Sequence, residues 1–452
     1  MTKQSLFFGL FLLVGSLSFH SCEVDPINDP NNPSLGSLTA DASRSELQVL
    51  VTGLESRNKN YYENATELWG AFGREVWPFF LSDPRFLDLW LGQGATETTP
   101  DFFGSGGTYV TPYLAVKQAN VLIDAAEASS SITPDQAAAY TGFAKTLKGF
   151  QLMIPLLQQG EKGIRIDVEE PLNPGPTLPF DQALAEIRAI IEDGAMDLDG
   201  SEIDFVLTSG FDGFMTSETM LQFNRAVAAK AAMYAEDWSA MESALEDSYL
   251  NLDASSPAEL NVGPTHEYGN APEPSNPLFY PFDRATSTIL VVHPALIEDA
   301  IEGDGRLSKF AQRVENPVTA TTGENTLIGE YQDARYSGPT DDIPYLRNEE
   351  LILMYAEANA QLGDTDDAVD AINTIRNIWG IGDYDGDTDL DSLIDEILFQ
   401  RRYSLWAEGG QRWLDLRRYG RLNADNVDLR DGGNLFQDVA RRLSEISWDS
   451  EN

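Results

Sequence analysis

Residues 345–422 constrain the fold of this 452-residue chain more than any other stretch. They read YLRNEELILMYAEANAQLGDTDDAVDAINTIRN, then an acidic connector, then DSLIDEILFQRRYSLWAEGGQRWLDLRRYGRL. Leu351, Tyr355, Ala358 and Leu362 fall at steps of four, three and four, so they share one helical face. Gly363 follows, where a helix commonly ends in a left-handed residue. Asp364 or Thr365 can cap a second helix, along which Ala368, Ile372, Ile375 and Trp379 repeat the stripe. Two amphipathic helices joined this tightly lie antiparallel, and Ala356, Ala360 and Ala368 let them approach closely.

The spacing of Gly363, Asp364, Ala368 and Ile372 is similar to the middle of a tetratricopeptide repeat, a helix pair that stacks on its neighbours. A third helix is predicted over 390–406, running into Glu408-Gly-Gly-Gln-Arg412-Trp413-Leu-Asp415-Leu416-Arg417-Arg418-Tyr-Gly420. Together with Arg347, Glu350, Leu353, Ala356, Glu357 and Ala358, and with 397–405, this resembles the C-terminal signature of the SusD/RagB family. Gln400 and Ser404 stand where the family favours Glu, and three residues rather than two separate Glu408 from Arg412. Those departures bear on local ion pairing. The resemblance implies a mostly α-helical, tetratricopeptide-like superhelix of about four helix pairs, with long irregular insertions covering one side. It also implies a surface lipoprotein of Bacteroidetes that binds a nutrient, a glycan or its breakdown product. Its partner would be a SusC-like TonB-dependent outer-membrane transporter, over whose barrel it hinges as a lid. Such a protein binds and releases, breaks no bond and needs no cofactor.

The chain carries 73 acidic and 30 basic residues, a formal net charge of −43. That argues against nucleic acid or an anionic membrane surface as a partner. Its acidic residues are dispersed, which describes a solvated surface rather than an acidic tail. The one cysteine, Cys22, follows Lys3, an apolar run at 6–14 and a serine-rich segment at 16–21. This is a signal peptide, too short for a spanning helix, and residues 17–22 resemble a bacterial lipobox with lipidation at Cys22. An ordinary secretory signal that leaves a free thiol is the alternative. Membrane attachment is then through lipid alone, and the family resemblance implies the outer membrane, facing the exterior. The expected organisation is a signal peptide at 1–21, a Pro- and Asn-rich tether at 22–38 and one domain at 39–452. Within that domain, 39–345 holds helix pairs and ligand-binding insertions, and 346–452 the signature region.

Along the chain, helices are predicted over 40–56, 111–128, 134–159 and 180–191, with a hairpin over 217–249 turning at Asp237-Trp238. Thr111 is expected to cap the second of these, and Pro155 to kink or shorten the third. Two stretches break the pattern. Residues 69–94 are rich in aromatics and interrupted by Pro78 and Pro84; residues 250–342 carry nine prolines with short strand-like pieces such as 288–292. Aromatics at this density usually build core. In the family resembled, however, irregular segments present aromatic faces on which sugar rings stack. On that basis Trp69, Trp77 and Trp90, with Asp83 and Arg85 as polar partners, form one candidate ligand-binding set, and Tyr280 and Phe282 a second.

The alternating acids Asp383, Asp385, Asp387, Asp389 and Asp391 suggest a calcium loop, but an EF-hand needs Gly at its sixth position and Glu at its twelfth. Thr388 and Ile394 stand there, so a solvated connector that caps the next helix is expected and no metal site. No metal-protease, nucleophile-elbow or phosphate-loop motif is present, and no catalytic residue is assigned. Glu408, Arg412, Asp415 and Arg417 look catalytic, yet Trp413 and Leu416 between them demand burial, which favours a buried ion cluster bracing the last helix. Two other classes fit the residues: a helical glycoside hydrolase, needing two facing carboxylates, and a helical-repeat adaptor that binds protein alone.

Overall fold

The computed structural model of the chain describes residues 35–170 and 172–451. The signal-like segment, Cys22 and most of the tether lie outside the described residues. Helix α1 (Leu35–Asp41) occupies the last residues of the stretch assigned to the tether, and α2 (Arg44–Asn58) follows. Ser43 starts α2 with a reciprocal capping box to Glu46. The next helices are α3 (Val110–Ala128), α4 (Pro134–Gln159), α5 (Phe180–Leu198), α6 (Ser217–Tyr234) and α7 (Trp238–Glu246). The signature region supplies α8 (Asn348–Leu362), α9 (Thr365–Ile378), α10 (Leu390–Ser404) and α11 (Gln411–Arg418).

Four antiparallel pairs stack side by side: α2 with α3, α4 with α5, α6 with α7, and α8 with α9. Pairing works because each helix buries one small or aliphatic stripe. Between α4 and α5 the contact is closest at Gly142, against Leu198, and at Gly149, against Ile191 and Ile187. Gly363 closes α8 at φ +89°, the left-handed end its position predicts. Asp237 caps α7 by accepting from the Ala240 N–H. α5 runs a further turn and more beyond residue 191, to Leu198, because Gly194 and Leu198 continue the buried face. Thr111 does not cap α3: the helix begins one residue earlier, and the Thr111 hydroxyl donates to the Gly107 carbonyl. α4 passes through Pro155 and ends four residues later at Gln159. Proline costs only one hydrogen bond there, and the whole terminal stretch is buried.

The irregular stretches meet in a sheet. β1 (Val76–Phe80) pairs antiparallel with β2 (Thr288–Val292), Val76 facing Val292 and Phe80 facing Thr288. β3 (Phe310–Gln312) and β6 (Tyr331–Asp333) complete the order β1-β2-β6-β3. A separate hairpin joins β4 (Val318–Thr322) to β5 (Asn325–Gly329). Pro78 is tolerated in β1 because β1 lies at the sheet edge. Among the described residues no helix is long and apolar enough to cross a membrane.

Candidate functional site

The three tryptophans expected to form a stacking face are interior. Trp69, Trp77 and Trp90 are each 1% exposed. Trp69 ends a π-helical turn (Ala65–Trp69) and packs on Trp413, ring centroids 5.6 Å apart. Trp77 sits in a strand buried at every residue, stacked along Phe79 and set edge-on against His293 at 4.7 Å. Trp90 is enclosed by Phe80, Phe86 and Phe103, and its indole N–H donates to the Phe103 carbonyl at 2.9 Å. The aromatics of 69–94 satisfy one another, so burial wins over presentation and these three offer no face to a ligand. Tyr280 is half-buried, its hydroxyl pushed well up by burial, and its carbonyl accepts from Gln332 at 3.0 Å. Phe282 is 63% exposed.

Phe282 belongs to a rim where three irregular segments meet at one end of the sheet. The Leu81 N–H donates to the Ser287 carbonyl at 2.9 Å, which lays the turn after β1 against the approach to β2. Asp283, beside Phe282, accepts from the backbone N–H groups of Glu315 and Asn316 at 2.8 and 2.9 Å. Buried Arg313 donates to the carbonyls of Arg284 and Asn316 at 2.6 and 2.9 Å. These bonds fix the backbone under Phe282 and under Val314, itself 70% exposed. On the β1 side, Arg85 holds Asp83 at 2.6 Å and lies over Phe103, 4.1 Å from the ring centroid. Hydrogen bonds from Arg85 hold the Asp83 carboxyl below its ordinary range. Asp83, Arg85 and Phe282 are thus surface groups on neighbouring segments. Phe103, Arg284, Arg313 and Val314 escaped the sequence, because only the long-range pairing of 76–80 with 288–292 brings their segments together.

The charged tail of the signature region is braced. Arg347 donates to both oxygens of Glu408 at 3.0 and 2.9 Å, and also pairs with Glu349. Burial alone would raise Glu349, but Arg347 and Lys309 overcome it and hold the carboxyl at about 2. Burial pushes the Lys309 ammonium down to about 7, and it donates to the Tyr403 carbonyl at 2.8 Å. Asp415 accepts from Arg401 and Arg418 at 2.7 and 3.0 Å. The expected cluster of Glu408, Arg412, Asp415 and Arg417 is therefore corrected in its partners. Arg412 donates to the Gly73 carbonyl at 3.2 Å, and Arg417 to that of Leu157 at 2.6 Å while lying over Trp413. Ser404, the departure from the family pattern, accepts from Arg306 at 3.0 Å. Carboxylates matched this fully by arginines hold helices together. In the acidic connector, Asp389 caps α10 by accepting from Ser392. Among the described residues no three His, Cys, Asp or Glu side chains converge as a metal site would require.

The architecture is a helix-pair scaffold with a rim built from insertions. Residues 327–449 match the model of the SusD family. SusD-like protein P38 of Formosa agariphila is 33% identical over 131 residues, 27% of this chain; the alignment spans 26% of that relative's length, about a quarter. In fold, the chain is similar to NanU of B. fragilis, with TM-score 0.65 at 15% identity over 94% of this chain and 98% of that one. It is also similar to surface glycan-binding protein A from Bacteroides uniformis, with TM-score 0.63 at 16% identity, covering 88% and 98% of the two chains. The signature region thus matches the SusD family, and the chain as a whole shares the fold of SusD-like proteins.

Proposed function

We propose that this protein is a surface-anchored binding lipoprotein that captures a glycan or oligosaccharide at the rim and passes it to a SusC-like TonB-dependent transporter. The observation that carries the capture step is the exposed Phe282 ring on a backbone pinned through Asp283, with the Asp83–Arg85 pair on the neighbouring turn. A fixed apolar ring stacks on a sugar face, and nearby charged groups bond its hydroxyls. A protein of similar fold, from Bacteroides uniformis, is itself named a surface glycan-binding protein. Anchoring rests on Cys22, and orientation toward the exterior follows from the same family reading. The chemistry is binding and release; no bond is made or broken, and no cofactor takes part.

Capture is tested by affinity electrophoresis against a panel of polysaccharides. Delivery is tested by purifying the protein from native membranes: a TonB-dependent barrel should come with it. Labelling of intact cells should reach it, and recovery only in the periplasm would refute the surface assignment.

A further inference from the structure

A cavity of about 280 Å³ opens between the last turn of α2, the turn at 208–211 and the loop at 265–273. It is separate from the rim at Phe282, and no residue of the two sites is shared. Its volume lies near the lower end for small-molecule sites, about 300 Å³ and upward. Three carboxylates line it, Glu55, Glu267 and Glu273, against one ammonium, Lys59. That ammonium is already committed: it donates to the Glu267 carbonyl and lies over the Tyr268 ring, 4.9 Å from the centroid. Asp342 stands close by, accepting from the Tyr268 N–H at 3.3 Å.

Glu55 adds an independent observation. It is only 9% exposed, and its Oε1 accepts from the N–H and hydroxyl of Thr208 at 3.0 and 3.1 Å. Its Oε2 has no hydrogen-bond partner. Buried carboxylate oxygens are ordinarily paired, so an orphan beside a cavity calls for a donor. Burial, reinforced by Glu267, pushes the Glu55 carboxyl upward; burial likewise raises Asp342. Both shifts come first from burial, and the Lys59 ammonium offsets them only in part. His266, also lining the cavity, is buried and neutral, pushed down to about 3 by burial, so it supplies no compensating charge.

We propose that this cavity binds a small polar molecule bearing a primary ammonium group, with Glu55 as the principal acceptor and Glu267 and Glu273 supplying the attracting field. Amino sugars and aliphatic amines share that chemistry. The site stands apart from glycan capture at the rim, so either can fail while the other holds.

The test is calorimetric titration of the purified protein at neutral pH with glucosamine, putrescine, N-acetylglucosamine and glucose. At least one of the two amines is expected to bind saturably, and N-acetylglucosamine and glucose roughly tenfold more weakly or not at all. Binding of glucosamine alone assigns the site to amino sugars; binding of putrescine as well assigns it to amines in general. Glu55→Gln keeps the acceptor for Thr208 and should weaken amine binding roughly tenfold. Ser56→Trp, at an exposed lining position, should abolish it with the fold intact. Absence of binding by both amines, equal binding of N-acetylglucosamine, or unchanged binding in Glu55→Gln would overturn the proposal.

Discussion

Arg347 grips Glu408 through two hydrogen bonds of 3.0 and 2.9 Å, tying the residue that opens α8 to the loop that follows α10. Both side chains are nearly sealed from solvent. Arg347→Ala leaves Glu408 and Glu349 buried without their main counter-charge. The expected loss is ~3–5 kcal/mol in denaturant unfolding, the cost of breaking a buried pair from one side. Arg421→Ala, whose partner Asp395 is exposed, should cost under ~1 kcal/mol in the same experiment.

Glycine at 410 answers to packing as well as to φ. Its φ is +70°, and a Cβ there would lie 2.3 Å from Cβ of Trp69. Gly409 has φ +72° but meets nothing closer than 3.9 Å. Gly409→Ala should therefore cost only the left-handed strain, ~1–2 kcal/mol. Gly410→Ala adds overpacking of ~1–3 kcal/mol. Thermal unfolding of the two variants separates the terms. Equal melting points would refute the contact between the Glu408 loop and the π-helical turn.

Glu67 gives the fold a pH signature. Burial, with Glu63 adding to it, pushes its carboxyl from 4.5 up to about 8. The folded chain thus holds a proton that the unfolded chain releases. Its contribution is complete below about pH 4.5, falls as the pH rises to about 8 and is flat beyond. The slope is at most ~1.4 kcal/mol per pH unit. Glu67→Gln should be more stable than the parent near the upper end of that window and equal to it at the lower end, by urea unfolding. Glu349, held near 2, acts oppositely: its stabilisation is present above about pH 4.5 and is lost as the pH falls toward about 2. It is untouched in the variant.

The buried tryptophans predict a contrast. Trp77 Nε1 has no hydrogen-bond partner, whereas Trp90 donates to Phe103. Trp77→Phe removes an orphan donor along with some ring area, while Trp90→Phe also strands a carbonyl. Trp90→Phe should be the more destabilising by ~1 kcal/mol or somewhat more in unfolding experiments. Neither should change glycan retention, because neither ring reaches the surface.

The scaffold was legible where it is local. The stripe from Leu351 to Leu362, the left-handed Gly363 and the Asp237 cap are all set by residues within a few positions of one another. The rim was legible only in part. Phe282 and the Asp83–Arg85 pair stand on the surface, but Trp69, Trp77 and Trp90 turned inward. Their burial depends on β1 finding β2 more than 200 residues on and on Trp413 arriving from α11. Neither relationship has a sequence period. The same holds for the ion network. Glu408 and Asp415 are charged residues needing partners, but nothing local says that Arg347 and Arg401 supply them.

Capture of glycan at the rim is tested most directly by affinity electrophoresis of the parent and Phe282→Ala proteins through gels containing single polysaccharides. Phe282 is 63% exposed, so the substitution leaves the fold intact. The account predicts that at least one polysaccharide retards the parent and that Phe282→Ala is retarded there distinctly less, stacking being worth ~0.5–1.5 kcal/mol per ring, about a two- to tenfold weakening. Equal retardation of the two proteins, or free migration of the parent through every gel, would contradict it.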